Sequence, residues 1–292
     1  MSTEAASVEV RPKRQRPPRR RDTTAIFEHA ALIVAALLVI FPGYFMFVTA
    51  FKTPEGYSLN KFDFPHPIYT GNFITALRGG RFFLWFGNSI AFSAGAVLLS
   101  TVVSVLAAFA FARMRFVGRN PLLAVITALI VIPPVVMIIP LFLLLARLQL
   151  ISTYPGAILV YAGLLTPFSI YLLTNFFKSI PHEIIESALI DGASSLDVLL
   201  WIVLPLSGPA LMTLIVVNTL AVWNDLLIAL VLLPQDEMRT LMVGVTVFGS
   251  RYNSDIPVAM AGMLLASIPM LLLYLVGQRY FIRGLVAGAL KG

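Results

Sequence analysis

The sequence has no cysteine, only three histidines and few charged residues for a chain of 292 residues. The absence of cysteine excludes disulfides, thiolate nucleophiles and metal sites with cysteine ligands. Charged residues make up 12% and hydrophobic residues 59% of the chain, whereas soluble domains carry about 25% charged residues. So little charge cannot cover the surface of a water-soluble globule, which excludes soluble enzymes and free nucleic-acid binders. The composition therefore predicts a membrane protein.

The polar residues do not form a recognisable catalytic or metal site. His29, His66 and His182 lie far apart in the sequence, without the spacing of metal ligands. The chain also lacks the G-x-x-x-x-G-K-[ST] loop that cradles nucleotide phosphates. We therefore predict no catalytic residue, no metal site and no cofactor in this chain.

Six stretches are apolar enough, and about long enough, to cross a membrane, which takes about 20 residues. They are 30–51, 82–112, 120–146, 148–177, 209–233 and 256–278. The fifth of them contains one charge, Asp225. The apolar run 198–204 is too short to cross, and Pro205 and Pro209 favour a break after it. The predicted fold is an all-α polytopic membrane protein with six transmembrane helices.

The positions of lysine and arginine predict the orientation. Six spans put both termini on one side, and that side carries 14 of the 21 Lys and Arg residues. Because cytoplasmic loops carry the excess of these residues, both termini are predicted to be cytoplasmic. Residues 1–22 hold seven of them and are predicted to be disordered, with a topology-setting role favoured over attraction to membrane lipid. Nucleic-acid binding is not expected, since no suitable fold or aromatic platform lies nearby.

The segment 180–205, between predicted spans 4 and 5, is acidic where a cytoplasmic loop is ordinarily basic. Pro181 suits the first turn of a helix, and Gly192 suits its C-terminal cap. Ser194 and Asp197 fit a capping box that opens a second helix. The segment is therefore predicted to form helix, turn and helix. The first helix is short and would be marginal alone in water, so we expect it to pack against a partner.

The same segment resembles the cytoplasmic loop of ABC importer membrane subunits, which reads E-A-A, three residues, G, nine residues, I, one residue, L-P. Every spacing fits, and Ser187 replaces the usual alanine. The matching positions, with one spacer residue, are Glu186, Ser187, Ala188, Asp191, Gly192, Ile202, Leu204 and Pro205. The chain as a whole is similar to the shorter, six-span permease of the maltose-transporter type. Trp223-Asn224-Asp225 and the ending 284–292 are among the further matching stretches.

The resemblance implies a transport subunit, not an enzyme, of an ATP-driven importer for a sugar. Its implied partners are a companion permease, two ATPase subunits that hold ATP and Mg, and an external solute-binding protein. The segment 180–205 would then supply a cytoplasmic coupling helix between spans 4 and 5. The implied domains are a basic tail at 1–22, a transmembrane domain at 23–283 and a cytoplasmic tail at 284–292, in the plasma (inner) membrane of a bacterium or archaeon.

Asp225 is the only acid deep within a predicted span. Because an aspartate at mid-bilayer costs about 2.5–3.5 kcal/mol, it should face the protein interior or an aqueous cavity. Asn218 lies seven residues earlier, on the same helical face, whereas the adjacent Asn224 points elsewhere. In one interpretation these residues line the translocation path and bind sugar hydroxyls. In the other, they form structural hydrogen bonds with polar residues of spans 2 or 4.

Other functional classes stay open. An ion-coupled secondary transporter should carry coupling carboxylates in several spans and often an internal repeat. A membrane enzyme needs a catalytic constellation, and a channel does not explain the coupling motif. An ABC importer for a solute other than a sugar fits the same motif.

Overall fold

Every element assigned within the part of the chain that the structure describes is a helix. The computed structural model describes residues 22–78, 81–251 and 255–289. The α-helices are α1 (Asp22–Ala50), α2 (Pro54–Leu59), α3 (Gly71–Arg78), α4 (Phe82–Arg113), α5 (Arg119–Ala128), α6 (Ile138–Arg147), α7 (Tyr154–Ser179), α8 (His182–Ile190), α9 (Ser195–Asp197), α10 (Leu204–Leu206), α11 (Gly208–Trp223), α12 (Leu227–Leu232), α13 (Leu241–Arg251) and α14 (Ile256–Ala289). Short 3₁₀-helices cover Leu129–Val131, Pro134–Met137 and Asp236–Met238, and a π-helix covers Val198–Val203.

The chain divides into two compact units, Met1–Phe45 and Met46–Gly292. The first contains most of α1, and the second contains all the later helices. Except for Asp22, where α1 begins, the predicted tail at 1–22 lies outside the described residues. Helix α14 continues past the predicted boundary at 284 as far as Ala289, and residues 290–292 lie outside the described part.

Four described helices are long and apolar enough to cross a membrane without interruption. They are Ala25–Ala50, Phe82–Arg113, Tyr154–Ser179 and Ile256–Gln278. Two bent pairs pass the same test: Arg119–Val131 with Pro134–Arg147, bent by 97°, and Ser195–Leu206 with Gly208–Trp223, bent by 77°. The described residues therefore contain four continuous candidate spans, or up to six if each bent pair is one span.

The predicted third and fifth stretches are not continuous helices. In the third, Pro133 and Pro134 separate α5 from α6, because proline lacks the amide N–H of a helix and clashes with the preceding turn. The predicted stretch 209–233 is interrupted after Trp223, where Asn224, Asp225 and Leu226 separate α11 from α12. There the carboxylate of Asp225 accepts from the amide of Ala229 at 2.9 Å, so a side chain replaces a backbone acceptor as at a helix N-terminus.

The core is built around α4 and α7, which pack along each other. One buried cluster joins these helices to α12 through Phe92, Tyr161 and Leu232. A second joins them to α8 and α11, around Phe177 and Leu214. A third joins α4 to α13 and α14, around Trp85, Leu241 and Ala266.

Helix α4 begins beside the connection between α12 and α13. The indole of Trp85 donates to the carbonyl of Asp236 at 2.9 Å, and the amide of Asn88 donates to the carbonyls of Glu237 and Arg239 at 2.8 and 2.9 Å. Ser89 accepts from the amide of Leu241 at 2.8 Å. These three residues of α4, hereafter the α4 clamp, lie on one helical face and fix the backbone that leads into α13.

An ion cluster surrounds the same connection. Arg81 lies 2.7 Å from a carboxylate oxygen of Asp236 and 2.9 Å from one of Glu237, and Arg239 lies 2.6 Å from Asp236. The hydrogen bond from Arg81 lowers the pKa of Glu237. Since Glu237 is exposed, solvent screens its ion pair and the contribution to stability is small.

Gly244 of α13 leaves no room for a side chain beside the α4 clamp, because a Cβ built on it would lie 2.1 Å from the indole of Trp85. We expect Gly244→Ala to destabilise the protein by about 1–3 kcal/mol through overpacking and to lower its unfolding temperature, measured on the purified chain. Gly163→Ala in α7 is the control, since its Cβ would meet nothing within 4 Å and alanine favours a helix interior. Equal unfolding temperatures for the two variants would contradict this packing.

Candidate functional site

Helix α8 is held to the core mainly by one buried side chain. Ile185 packs among Phe177 and Val198, and Ala188 is half-buried against the same cluster. The neighbouring Glu186 and Ser187 are exposed. The arrangement presents a carboxylate and a small side chain outward on a short helix.

The C-terminus of α8 requires glycine. Gly192 has φ of +89°, the left-handed region that side chains with a Cβ disfavour. Its N–H donates to the carbonyl of Leu189 at 3.1 Å, and that of Ala193 donates to the carbonyl of Ala188 at 3.0 Å. This pair of bonds is a Schellman motif, which confirms the cap predicted at Gly192. The exposed Asp191 precedes it at the C-cap.

A capping box opens the next helix, as the spacing of Ser194 and Asp197 predicted. The hydroxyl of Ser194 accepts from the amide of Asp197 at 3.2 Å, and the carboxylate of Asp197 accepts from the amide of Ser194 at 3.0 Å. Hydrogen bonds from Ser194 hold the pKa of Asp197 below its ordinary value. Pro181 stands at the N-cap of α8, one residue before the predicted first turn.

The second half of the segment is one nearly continuous helical stretch that ends in a bend. Ile202 and Leu204 are half-buried, whereas Pro205 is exposed. The helix continues one residue beyond Pro205, to Leu206, and is interrupted at Ser207 before α11 begins. The motif residues are therefore divided between α8 with its cap and the helix that leads to the bend.

Two contacts of this segment were not predicted. His182 Nδ1 lies 3.3 Å from Glu186 Oε1, and both side chains are exposed. Their spacing of four residues on a helix was the signal in the sequence. Because both side chains are exposed, water competes with this contact, and the Glu186 carboxylate remains accessible to another group.

Arg113 is the second missed residue. At the end of α4, its guanidinium donates to the carbonyl oxygens of Phe177 and Ile180, the latter at 2.6 Å. A cation at a helix C-terminus satisfies carbonyls that have no helical partner and opposes the helix dipole. Arg113 thus fastens the end of α7, immediately before α8, to α4. The sequence showed it only as one more basic loop residue.

A cavity of about 330 Å³ lies between α7 and α11, and both Asn218 and Asp225 line it. The amide of Asn218 donates to the hydroxyl of Ser169 at 2.9 Å. The phenol of Tyr161 donates to the carboxylate of Asp225 at 2.8 Å. Asn224 is exposed and is not among the residues that line this cavity.

Both interpretations of the polar residues retain support from this geometry. The bonds to Ser169 and Tyr161 join α11 and its C-terminal extension to α7, as a structural role requires. The position of Asn218 and Asp225 at one cavity is what a translocation path requires. Tyr161 had no signal in the sequence beyond its aromatic character, since its partner lies 64 residues away.

The chain matches the family model described as "Binding-protein-dependent transport system inner membrane component" over residues 100–285. It is 41% identical, over 89% of its length and 95% of the relative's, to a putative ABC transporter permease protein, ORF2, of Caldicellulosiruptor sp. (strain Rt8B.4). It is 32% identical to the diacetylchitobiose uptake system permease protein DasC of Streptomyces coelicolor, over 91% of this chain and 97% of that protein.

A relative and a solved structure extend the comparison. The melibiose/raffinose/stachyose import permease protein MelC of Bacillus subtilis is 30% identical, over 90% of this chain and 95% of that protein. The crystal structure of a bacterial ABC transporter involved in the import of the acidic polysaccharide alginate has a TM-score of 0.81 at 25% identity, over 91% of this chain and 100% of that chain.

The bonds made by Arg113 predict how firmly the start of α8 is held. We expect Arg113→Gln to leave the carbonyls of Phe177 and Ile180 without their cationic donor and to raise hydrogen exchange at the amides of α8, measured by mass spectrometry. Arg115→Gln is the control, because Arg115 is exposed in the same loop. Exchange in α8 that rises equally in both variants, or in neither, would contradict this role.

Proposed function

The chain belongs to the family of binding-protein-dependent transport system inner membrane components, and we propose that it forms half of the sugar-translocating path of an ABC importer. It is a permease subunit, and its function is transport. The observation that carries the proposal is the exposed α8, which presents Glu186 outward and ends in the glycine cap that the coupling motif requires.

The proposed substrate is a sugar, in particular an oligosaccharide. Two relatives support this proposal. DasC is a permease protein of a diacetylchitobiose uptake system, and MelC is a melibiose/raffinose/stachyose import permease protein. A structural neighbour belongs to a transporter that imports alginate. An external solute-binding protein is a proposed partner, and support comes from an alginate ABC transporter that was crystallised in complex with its alginate pentasaccharide-bound periplasmic protein.

The proposed topology has six spans and two cytoplasmic termini in the plasma membrane of the cell. Arg119–Val131 with Pro134–Arg147 then counts as one crossing and α11 with its extension α12 as another, and the excess of lysine and arginine falls on the cytoplasmic side. The tail at 1–22 and the tail at 284–292 are both cytoplasmic in this proposal, and residues 23–283 form the transmembrane domain.

Helix α8 is the proposed coupling helix. Glu186 pairs with a cation of an ATPase subunit, while Ser187, Ala188 and Gly192 allow that subunit to approach the backbone closely. ATP and Mg are bound by the two ATPase partners. Their closure moves α8. Because Ile185 joins α8 to the core and Arg113 fastens the end of α7 just before it, the movement reaches the spans of this chain and of its companion permease.

The cavity between α7 and α11 is the proposed contribution of this chain to the translocation path. Asn218 and Asp225 supply hydrogen-bonding groups that suit sugar hydroxyls, and Tyr161 orients the carboxylate. Asn224 is proposed as a path residue outside this cavity, since it is exposed at the end of α11.

Reversing the charge of Glu186 tests the coupling proposal. We expect Glu186→Lys to abolish transport-coupled stimulation of ATPase activity in the reconstituted importer while the chain still inserts into the membrane, because a lysine repels the cation of the partner. Glu55→Lys is the matched control, since Glu55 is exposed in the first turn of α2, on the opposite side in the proposed topology. Normal stimulation in Glu186→Lys would overturn the proposal.

Removing the charge of Asp225 separates its two interpretations. Asp225→Asn preserves the size of the side chain and its ability to bond Tyr161, so a purely structural role should tolerate it. If Asp225 serves the path, sugar transport should fall several-fold while assembly and unfolding temperature stay near wild type. Tyr161→Phe is the companion variant, because it keeps the charge and removes the bond. Unchanged transport in Asp225→Asn would contradict the path role.

A further inference from the structure

The helical stretch Ser195–Leu206 has an unusual direction and an unusual exposed face. It lies at 77° to α11, Gly208–Trp223, which follows it. Spans are tilted by only about 20° on average from the bilayer normal. A stretch that meets a span at such an angle lies close to the plane of the membrane, at the level where the span begins.

One face of this stretch packs on the core. Val198, Leu199 and Val203 are buried among residues of α4, α7 and α11. The side chains of Ser194 and Asp197 each accept a hydrogen bond from the backbone N–H of the other residue in the capping box. The buried face therefore attaches the stretch Ser195–Leu206 to the rest of the chain.

The opposite face is exposed and apolar. It is made of Leu196, Leu200, Trp201 and Leu206, and Trp201 is 76% exposed. Residues 198–206 include no charged residue. Four large apolar side chains left exposed beside a span indicate an apolar or amphipathic occupant. It offers no ion pair to a protein partner, in contrast to Glu186 on α8.

We propose that the Leu196–Leu206 face lies in the headgroup region of the cytoplasmic leaflet and that Trp201 anchors it in lipid. Helices with one apolar face lie in the membrane interface, and tryptophan, with an apolar ring and a polar N–H, is enriched at that level. Through Leu206 the stretch continues into α11, which belongs to a candidate span of an inner-membrane protein, so the face lies at the level where that span meets the membrane surface.

The anchor divides the coupling segment into two parts with different partners. Helix α8 faces the ATPase, and the stretch after the Gly192 turn rests on the membrane. When α8 moves with the ATPase, the lipid-anchored stretch stays at the membrane surface. It therefore gives the segment a fixed position between α8 and α11, about which the motion of α8 is transmitted. This inference rests on the proposed function for the cytoplasmic location of the segment.

The absence of cysteine from the chain permits a direct test with spin labels. Trp201→Cys introduces the only thiol of this subunit, in an importer whose other subunits lack cysteine, reconstituted in bilayer nanodiscs of phosphatidylcholine and phosphatidylglycerol. Ile190→Cys is the matched control, since Ile190 is 85% exposed on α8. Collision of each label with oxygen, which concentrates in lipid, and with a water-soluble nickel chelate is measured with and without the ATPase subunits.

The label at 201 should favour oxygen several-fold over the nickel chelate, with a ratio that the ATPase subunits do not change. The label at 190 should favour the nickel chelate and become shielded when the ATPase subunits bind. A label at 201 that favours the chelate, or that neither reagent reaches because another subunit covers it, overturns the lipid anchor. If the ATPase subunits do not change the collision of the label at 190 with the nickel chelate, the result counts instead against the proposed coupling function.

A second measurement needs no label at the anchor. Trp85 and Trp223 are only 6% and 5% exposed, so Trp201 is the tryptophan of this chain that a quencher reaches most easily. Fluorescence quenching by bromine atoms on lipid acyl chains should be strong in the wild-type importer and several-fold weaker in the otherwise identical Trp201→Phe importer. Equal quenching in the two overturns the proposal even if Trp201→Cys fails to assemble.

Discussion

Backbone amides and carbonyls within a hydrocarbon layer must find partners inside the protein, and this constraint accounts for polar side chains at three helix ends or breaks of this chain. Asp225 accepts from Ala229 where α11 gives way to α12. Arg113 donates to the last carbonyls of α7. At the bend before α11, the hydroxyl of Ser207 donates to the carbonyl of Val203 at 2.6 Å. At each of these three places a polar side chain satisfies a backbone group that the helix leaves without a partner.

The same constraint explains why the breaks join distant parts of the chain. A side chain that satisfies a helix end must come from a neighbouring element when the local sequence is apolar. Arg113 therefore ties α4 to α7, and Asn88 in the α4 clamp ties α4 to the start of α13. Such bonds give the bundle fixed points at its helix ends.

The sequence predicted the features that depend on local chemistry. Gly192 and the Ser194–Asp197 pair were predicted as caps, because a cap is set by a few consecutive residues. The apolar runs located the four continuous candidate spans. The break at Asp225 was missed, since an apolar run does not show which side chain will replace a backbone acceptor. The roles of Arg113 and Tyr161 were missed because their partners lie more than 60 residues away in the sequence.

Asp225 shows why its structural and transport interpretations need not exclude each other. One carboxylate oxygen accepts from both Tyr161 and the amide of Ala229, so this oxygen holds α12 in place and fixes the plane of the carboxylate. The residue nevertheless remains half-buried and lines the cavity beside Asn218. A carboxylate whose orientation is already fixed loses little conformational entropy when it binds a hydroxyl. The bonds that satisfy the helix break therefore also preorganise the group that faces the cavity.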